Sequence, residues 1–227
     1  MIAVAIDGPA GAGKSTVAKQ AAKAVGFIYV DTGALYRAVG LYMLQKGINL
    51  SDPGAVCAEL SNVTVSLAFQ KGEQKVLLSS KDVTSSIRSE EVSNAASVVS
   101  AIPEVRRFLF SMQREIAAKQ NVVMDGRDIG TVVLPNAQVK IFMTASQEER
   151  AKRRYKELRQ KGKASEYSDV LKDMIRRDSQ DAHRTVAPMV PAKDSILLDT
   201  TGYTLEQSVG RVVEMIQSYL KNSKGNR

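Results

Sequence analysis

Apolar residues along the chain fall into five short runs: Ile2–Ile6, Phe27–Asp31, Asn121–Asp125, Val139–Thr144 and Ser195–Asp199. Each is rich in Val or Ile, and stretches of helical spacing separate most of them. That alternation predicts a parallel sheet with helices on both faces. Val17, Ala18, Ala21, Ala22 and Val25 recur at helical spacing after the first run. Pro103 opens a long amphipathic helix to about Lys119, with Val105, Phe108, Leu109, Met112 and Ile116 as its expected buried stripe. Two further helices, split near Gly162, are expected after the fourth run. A last helix should span about Thr204 to Lys221, with Asn222–Arg227 frayed.

One stretch departs from this rhythm. Val63–Phe69 and Gln74–Leu78 alternate apolar and polar residues about the turn Gln70-Lys-Gly-Glu73, which predicts an antiparallel hairpin. A third short strand is expected near Lys81–Thr84. The region from about residue 62 to 89 thus reads as a small β lobe inserted into an α/β fold. No internal repeat is present.

Composition narrows the class. At 227 residues the chain can form one large α/β domain or a domain with an inserted lobe, and 44% apolar residues exclude a disordered chain. The lone Cys57 excludes an internal disulfide framework and reads as a small hydrophobe on a helix. There is no leader-like N-terminus and no run of 18 apolar residues, so a cytoplasmic protein without membrane contact is expected. The net charge of +8 is concentrated: Arg150, Lys152, Arg153, Arg154, Lys156, Arg159, Lys161 and Lys163 stand against one acid, Glu157. Such a cluster suits a small polyphosphate ligand. RNA is the alternative, but no aromatic-rich strand accompanies the cluster.

The most specific pattern directly follows the first run. Gly8-Pro9-Ala10-Gly11-Ala12-Gly13-Lys14-Ser15-Thr16 satisfies G-x-x-x-x-G-K-[ST] between a strand and a helix, the context a phosphate-binding loop requires. Glycines let backbone amides curl around a polyphosphate, Lys14 reaches the β- and γ-phosphates, and the Ser15 hydroxyl can ligate Mg²⁺. In open α/β sheets the ligand crevice lies at the carboxyl ends of strands. Three runs end in acids there: Asp31, Asp125 and Asp199.

Asp31-Thr32-Gly33-Ala-Leu-Tyr36-Arg37 predicts a strand-end acid, a turn glycine and a helix whose first turn carries Tyr36 and Arg37, a ready anion pocket. Asp125-Gly126-Arg127-Asp128 sets two acids and an arginine among glycines. Arg177, Asp181 and Arg184 share one face at i, i+4 and i+7 of a helix. His183 is the only histidine and reads as structural, since phosphoryl transfer needs positioning and charge neutralisation rather than a histidine base. No Cys/His metal cage and no Ser-His-Asp set can be assembled. A switch GTPase would also need an Asn-Lys-x-Asp guanine motif, which is absent. A phosphate loop, arginines from several segments and a basic lid at about 147–165 point to a kinase with two phosphate-facing sites. Kinases of UMP, AMP or a non-nucleotide acid, and a nucleotide-dependent RNA-binding or switch protein, are the competing readings.

Gly8–Thr16 (GPAGAGKST), Asp31–Arg37 (DTGALYR), Asn94–Ser97 (NAAS), Asp125–Thr131 (DGRDIGT), Val139–Phe142 (VKIF) and Arg177–Ala192 together resemble the bacterial cytidylate kinases, in order and over nearly the whole chain. The resemblance implies a single P-loop kinase domain over 1–227 and transfer of the γ-phosphoryl of Mg·ATP to CMP or dCMP in pyrimidine nucleotide metabolism. It further implies that Ser97, Arg106 and Asp128 read cytosine, with the β lobe belonging to the CMP-binding region. Arg37, Arg127 and Arg184 would grip the acceptor phosphate, Arg177 and Asp181 would meet the sugar, and Asp31, Thr32 and Tyr36 would line the same pocket. An ionised Asp128 only accepts hydrogen bonds, so it suits the 4-amino group of cytosine and disfavours the 4-oxo group of uracil, by about 1–3 kcal/mol. Arg153 or Arg154 would attend the transferring phosphate, and Asp31 or Asp125 would hold Mg²⁺ through water. A monomer is the default expectation.

Overall fold

The computed structural model describes residues 1–70, 73–160, 162 and 164–225. In chain order, β1 (Ala3–Asp7) leads to α1 (Lys14–Val25), β2 (Ile28–Asp31), α2 (Thr32–Gln45) and α3 (Pro53–Glu59). Strands β3 (Val65–Gln70), β4 (Glu73–Leu78) and β5 (Lys81–Asp82) follow, then α4 (Glu90–Val99) and α5 (Pro103–Lys119). The chain continues through β6 (Val122–Asp125), β7 (Val139–Thr144), α6 (Gln147–Gln160), α7 (Tyr167–His183), β8 (Ile196–Asp199) and α8 (Leu205–Gly225).

A five-stranded sheet has the order β2-β6-β1-β7-β8, with β1 parallel to both β6 and β7, and β7 parallel to β8. The first strand of the chain is therefore central. Every residue of β1 is buried, which explains why its sequence is continuously apolar up to Asp7 rather than alternating. The second sheet, β3-β4-β5, is antiparallel. Its register pairs Gln70 with Glu73, so the expected hairpin forms, with Lys71 and Gly72 of its turn outside the described residues.

The chain divides into two compact units, one made of Met1 and Tyr29–Gln120, the other of Ile2–Ile28 and Asn121–Arg227. The first has its own core, in which Leu35, Val39 and Met43 of α2 meet Val56, Ile87, Val105 and Leu109. The second is built on the parallel strands, with α1 packed on β6 and against α8. A satellite cluster of Ala151, Leu158, Val170 and Met174 joins α6 to α7.

Four boundaries or faces differ from expectation. The first strand includes Asp7, whose backbone pairs with Phe142 of β7 and whose carboxylate accepts the amides of Ile129 and Gly130. The buried face of α5 is rotated: Arg106, Gln113 and Ala117 are buried with Val105 and Leu109, while Phe108, Met112 and Ile116 are only partly covered. Aromatic rings make the burial of Arg106 tolerable, with the guanidinium 5.7 Å from the centroid of Tyr36 and 5.3 Å from that of Phe110. Gly33 lies inside α2, not in a turn, since Asp31 caps the helix by accepting from the Ala34 amide. Finally, α8 runs on to Gly225, where fraying was expected from Asn222.

Candidate active site

The phosphate loop starts where β1 ends. Gly8 has φ of 141°, and a Cβ there would lie 2.0 Å from the Met143 carbonyl oxygen, so only glycine lets the loop pass so close to β7. Gly13 precedes α1 without a side-chain cap, which leaves the first amides of the helix for an anion. Lys14 is 4% exposed and its Nζ donates to the Pro9 carbonyl at 2.7 Å. Burial, and then the nearby Arg127 cation, push its amine down to about 7. Ser15 Oγ donates to Asp125 Oδ2 at 2.8 Å, while Thr16 is exposed.

Helices α6 and α7 brace this loop. Arg150 Nη1 donates to the Ala10 carbonyl at 2.9 Å and pairs with Asp178 at 2.6 Å, and Asp178 in turn accepts from the Ala10 amide at 3.3 Å. In the sequence Arg150 counts only as one of the basic cluster and Asp178 carries no assigned role, because the partner of each lies on a different helix. Arg153 reaches the Ala12 carbonyl at 3.4 Å and the Thr200 carbonyl at 2.9 Å, whereas Arg154 pairs with Glu157 of its own helix at 2.9 Å. Lys161 and Lys163 of the expected basic lid lie outside the described residues.

The end of β6 carries the second constellation. Arg127 Nε pairs with Asp181 at 2.9 Å, and Arg184 Nη2 pairs with Asp128 at 3.1 Å. Burial opposes the Arg127 charge, but the carboxylates of Asp181, Asp125 and Asp178 together outweigh it and hold the guanidinium above its usual range. Burial, followed by the Arg127 cation, pushes Arg177 down, and its carboxylate neighbour is Asp173 at 4.0 Å. Arg184 does not share the α7 face with Arg177 and Asp181 as expected. The helix ends at His183, and Arg184 turns into extended backbone, where its Nε donates to the Ala187 carbonyl. Asp199, the third strand-end acid, is spent on the Thr201 amide and hydroxyl. The exposed His183 ring lies 2.9 Å from the Ser179 carbonyl of the preceding helical turn. Asp7, also overlooked, accepts from the amides of Ile129 and Gly130.

Within the other unit, Asp31 pairs with Arg37 at 2.6 Å, and Gln74 of β4 bonds both the amide and the carbonyl of Asp31. Thr32 and Tyr36 are buried, and both Tyr36 and Arg37 fall in the second turn of α2 rather than the first. Arg106 is 1% exposed and donates to the Ser100 carbonyl at 3.2 Å, and the half-buried Ser97 accepts from the Ser100 hydroxyl through its own carbonyl. Ser97 of α4 and Arg106 of α5 thus both bond Ser100 in the turn that joins the two helices.

A parallel sheet whose central strand feeds a lysine-bearing phosphate loop, braced by an arginine-rich helix pair, defines a P-loop kinase. Solved structures agree on the fold: an uncharacterized protein from Eubacterium ventriosum matches with a TM-score of 0.55 at 13% identity, covering 96% of this chain and 99% of that one. A gluconokinase from Sinorhizobium meliloti matches with a TM-score of 0.52 at 13% identity, covering 99% and 97%. The cytidylate kinase family model matches residues 4–218. The cytidylate kinase of Caldanaerobacter subterraneus is 51% identical over 224 residues, covering 99% of this chain and 97% of its own. That of Carboxydothermus hydrogenoformans is 49% identical over 213 residues, covering 94% and 96%. The chain belongs to the cytidylate kinase family, ATP-dependent kinases of cytidylate.

Proposed function

We propose how this chain carries out its family's reaction, the transfer of the γ-phosphoryl of ATP to CMP or dCMP, and which groups do each part. The ATP phosphates lie against the amides of Gly8–Thr16 and the N-terminus of α1, with Lys14 on the β- and γ-oxygens. Polyphosphate restores the Lys14 charge that burial suppresses. The hydroxyl of Ser15 beside the carboxylate of Asp125 is a donor set that fits a hydrated Mg²⁺, whereas Asp31 is committed to Arg37 and the Ala34 amide. When bound, the ion would supply charge neutralisation across the β- and γ-phosphates.

The acceptor phosphate is held by Arg37, Arg127 and Arg184, and the sugar by Arg177 and Asp181. Asp128, Ser97 and Arg106 read the base, with Asp31, Thr32 and Tyr36 completing the pocket and the β3-β4-β5 lobe belonging to it. Arg153, more than Arg154, follows the transferring group from the lid at about 147–165. The transition state is loose and its equatorial oxygens carry the charge, so these cations do the catalytic work and no proton-abstracting base is required. Lid closure excludes water from the γ-phosphate. A monomeric cytosolic enzyme, a single kinase domain over 1–227 and no nucleic-acid or membrane partner complete the reading. Among the described residues no helix is long and apolar enough to cross a membrane.

One observation carries the proposal: a single strand end serves both halves. Asp125 meets the donor-side Ser15, and three residues on, Asp128 meets the acceptor-side Arg184. A coupled assay across CMP, dCMP, UMP, AMP and GMP tests it. Turnover confined to CMP and dCMP is expected, and turnover that is best with another monophosphate would overturn the base assignment.

A further inference from the structure

Asp7 is buried, 5% exposed, and has no part in the reaction derived above. Its backbone leads into the phosphate loop, but its side chain points elsewhere. Oδ1 accepts the Ile129 amide and Oδ2 the Gly130 amide, both at 2.7 Å. These amides open the helical turn Ile129–Val133 that directly follows Asp128. The first amides of any such turn lack partners within it and need an outside acceptor. The residue in the capping position usually supplies that acceptor, and aspartate is among the best at it. Here the capping position belongs to Asp128, yet Asp128 makes no side-chain capping bond; its carboxylate is turned to Arg184 at 3.1 Å.

We propose that Asp7 is a positioning residue for acceptor recognition: it caps the turn at Ile129–Gly130 in place of Asp128, and so keeps the Asp128 carboxylate directed at the base site. The inference rests on the reading that Asp128 recognises cytosine. The device has an energetic cost, because burial pushes the Asp7 carboxyl up to about 6 even with two amides bound. A carboxylate kept in such surroundings for packing alone would be replaced to advantage by an apolar side chain.

Asp7→Asn removes one of the two acceptors and sets an amide NH₂ against a backbone N–H. Asp128 should then swing back to cap its own turn. The expected result is a rise of about tenfold in KM for CMP and a loss of about tenfold in discrimination against UMP, with KM for ATP changing less than about threefold. In an Asp128→Ala background, Asp7→Asn should cost no further discrimination. Equal rises in KM for ATP and CMP, or a lower Tm with unchanged kinetic constants, would overturn the inference. Should Asp7→Asn fail to fold, Gly130→Ala perturbs the same contact from the other side, since its Cβ would lie 3.4 Å from Asp7 Oδ2 and 3.3 Å from Lys140 Cδ. A selective rise in KM for CMP supports the inference there, and a rise confined to ATP overturns it. If Asp128→Ala alone spares discrimination, the base reading has failed; if Asp128→Ala abolishes it while Asp7→Asn does not, only the role of Asp7 has failed.

Discussion

The two constellations at the carboxyl ends of β1 and β6 hold their cations in opposite ways. In the phosphate loop, Lys14 rests on a backbone carbonyl, and burial takes its amine down to about 7. After β6, Arg127 and Arg184 are each set against a carboxylate, Asp181 and Asp128, and Arg127 is held firmly charged. The contrast follows from what each must do. A lysine is a compact charge whose proton affinity yields to its surroundings, while a guanidinium keeps its proton and accepts a fixed orientation from a carboxylate. In the proposed reading, the donor side therefore awaits its charge partner, the ATP phosphates, and the acceptor side has its geometry arranged beforehand by protein carboxylates.

Removing the donor cation should give the largest effect. Lys14→Ala is expected to lower kcat by about a thousandfold, the scale of losing a charge-stabilising donor in a water-excluded site. The folded state should hold or gain stability, because a buried amine that is costly to keep charged is removed. Steady-state kinetics beside thermal unfolding checks both. Near-normal turnover would dissolve the contrast between the two sides.

The contrast also predicts a pH dependence. Free Lys14 titrates near 7, far below the ordinary 10.5, and bound polyphosphate favours its charged form. ATP binding should thus take up a proton between about pH 7 and 10. The Lys14 contribution to affinity is fully present below pH 7 and falls by up to about tenfold per pH unit above it. Affinity for CMP should stay level from pH 7 to 9, since its arginines remain charged and Asp7, at about 6, is already ionised. Calorimetry in buffers of different ionisation enthalpy measures the uptake. A level ATP profile and a sloping CMP profile would reverse the argument.

Much of this was legible in the chain. The five strand runs appear within one residue of their places, because each is a short apolar run bounded by turn residues, although at the sheet edge β8 leaves Ile196 and Leu197 exposed. The phosphate loop is a local signal, fixed by spacing. What escaped is what depends on long-range pairing. The turn at Ile129 takes its cap from Asp7, 122 residues earlier, so nothing near Asp128 announces that its carboxylate is spared. Arg150 and Asp178 close on Ala10 from two different helices, and no spacing along the chain announces that meeting. The buried face of α5 was misjudged because Arg106 counts as polar in any periodicity. Its aromatic surroundings come from Tyr36 on another helix as well as Phe110. The choice of Asp125 over Asp31 beside the phosphate loop likewise depends on which acid meets Ser15 and which is taken by Arg37.

The smallest effect tests whether arranging the acceptor side in advance helps or hinders. Asp181→Asn removes the carboxylate charge beside Arg127 and keeps a polar side chain for the sugar contact proposed above. The pair is partly exposed, with side chains 27% and 15% accessible, and such pairs contribute on the order of 1 kcal/mol or less. The carbonyl of Asp181, which accepts the Met189 amide at 2.8 Å, is untouched by the change, so the loop after Arg184 should keep its path. If the carboxylate orients Arg127 for the incoming phosphate, KM for CMP should rise about threefold while KM for ATP and Tm barely move. If it instead competes with the phosphate for the guanidinium, KM for CMP should fall. A fall would mean that both sides of the site hold their cations in reserve, and that the difference between Lys14 and Arg127 lies only in which local group occupies them until substrate arrives.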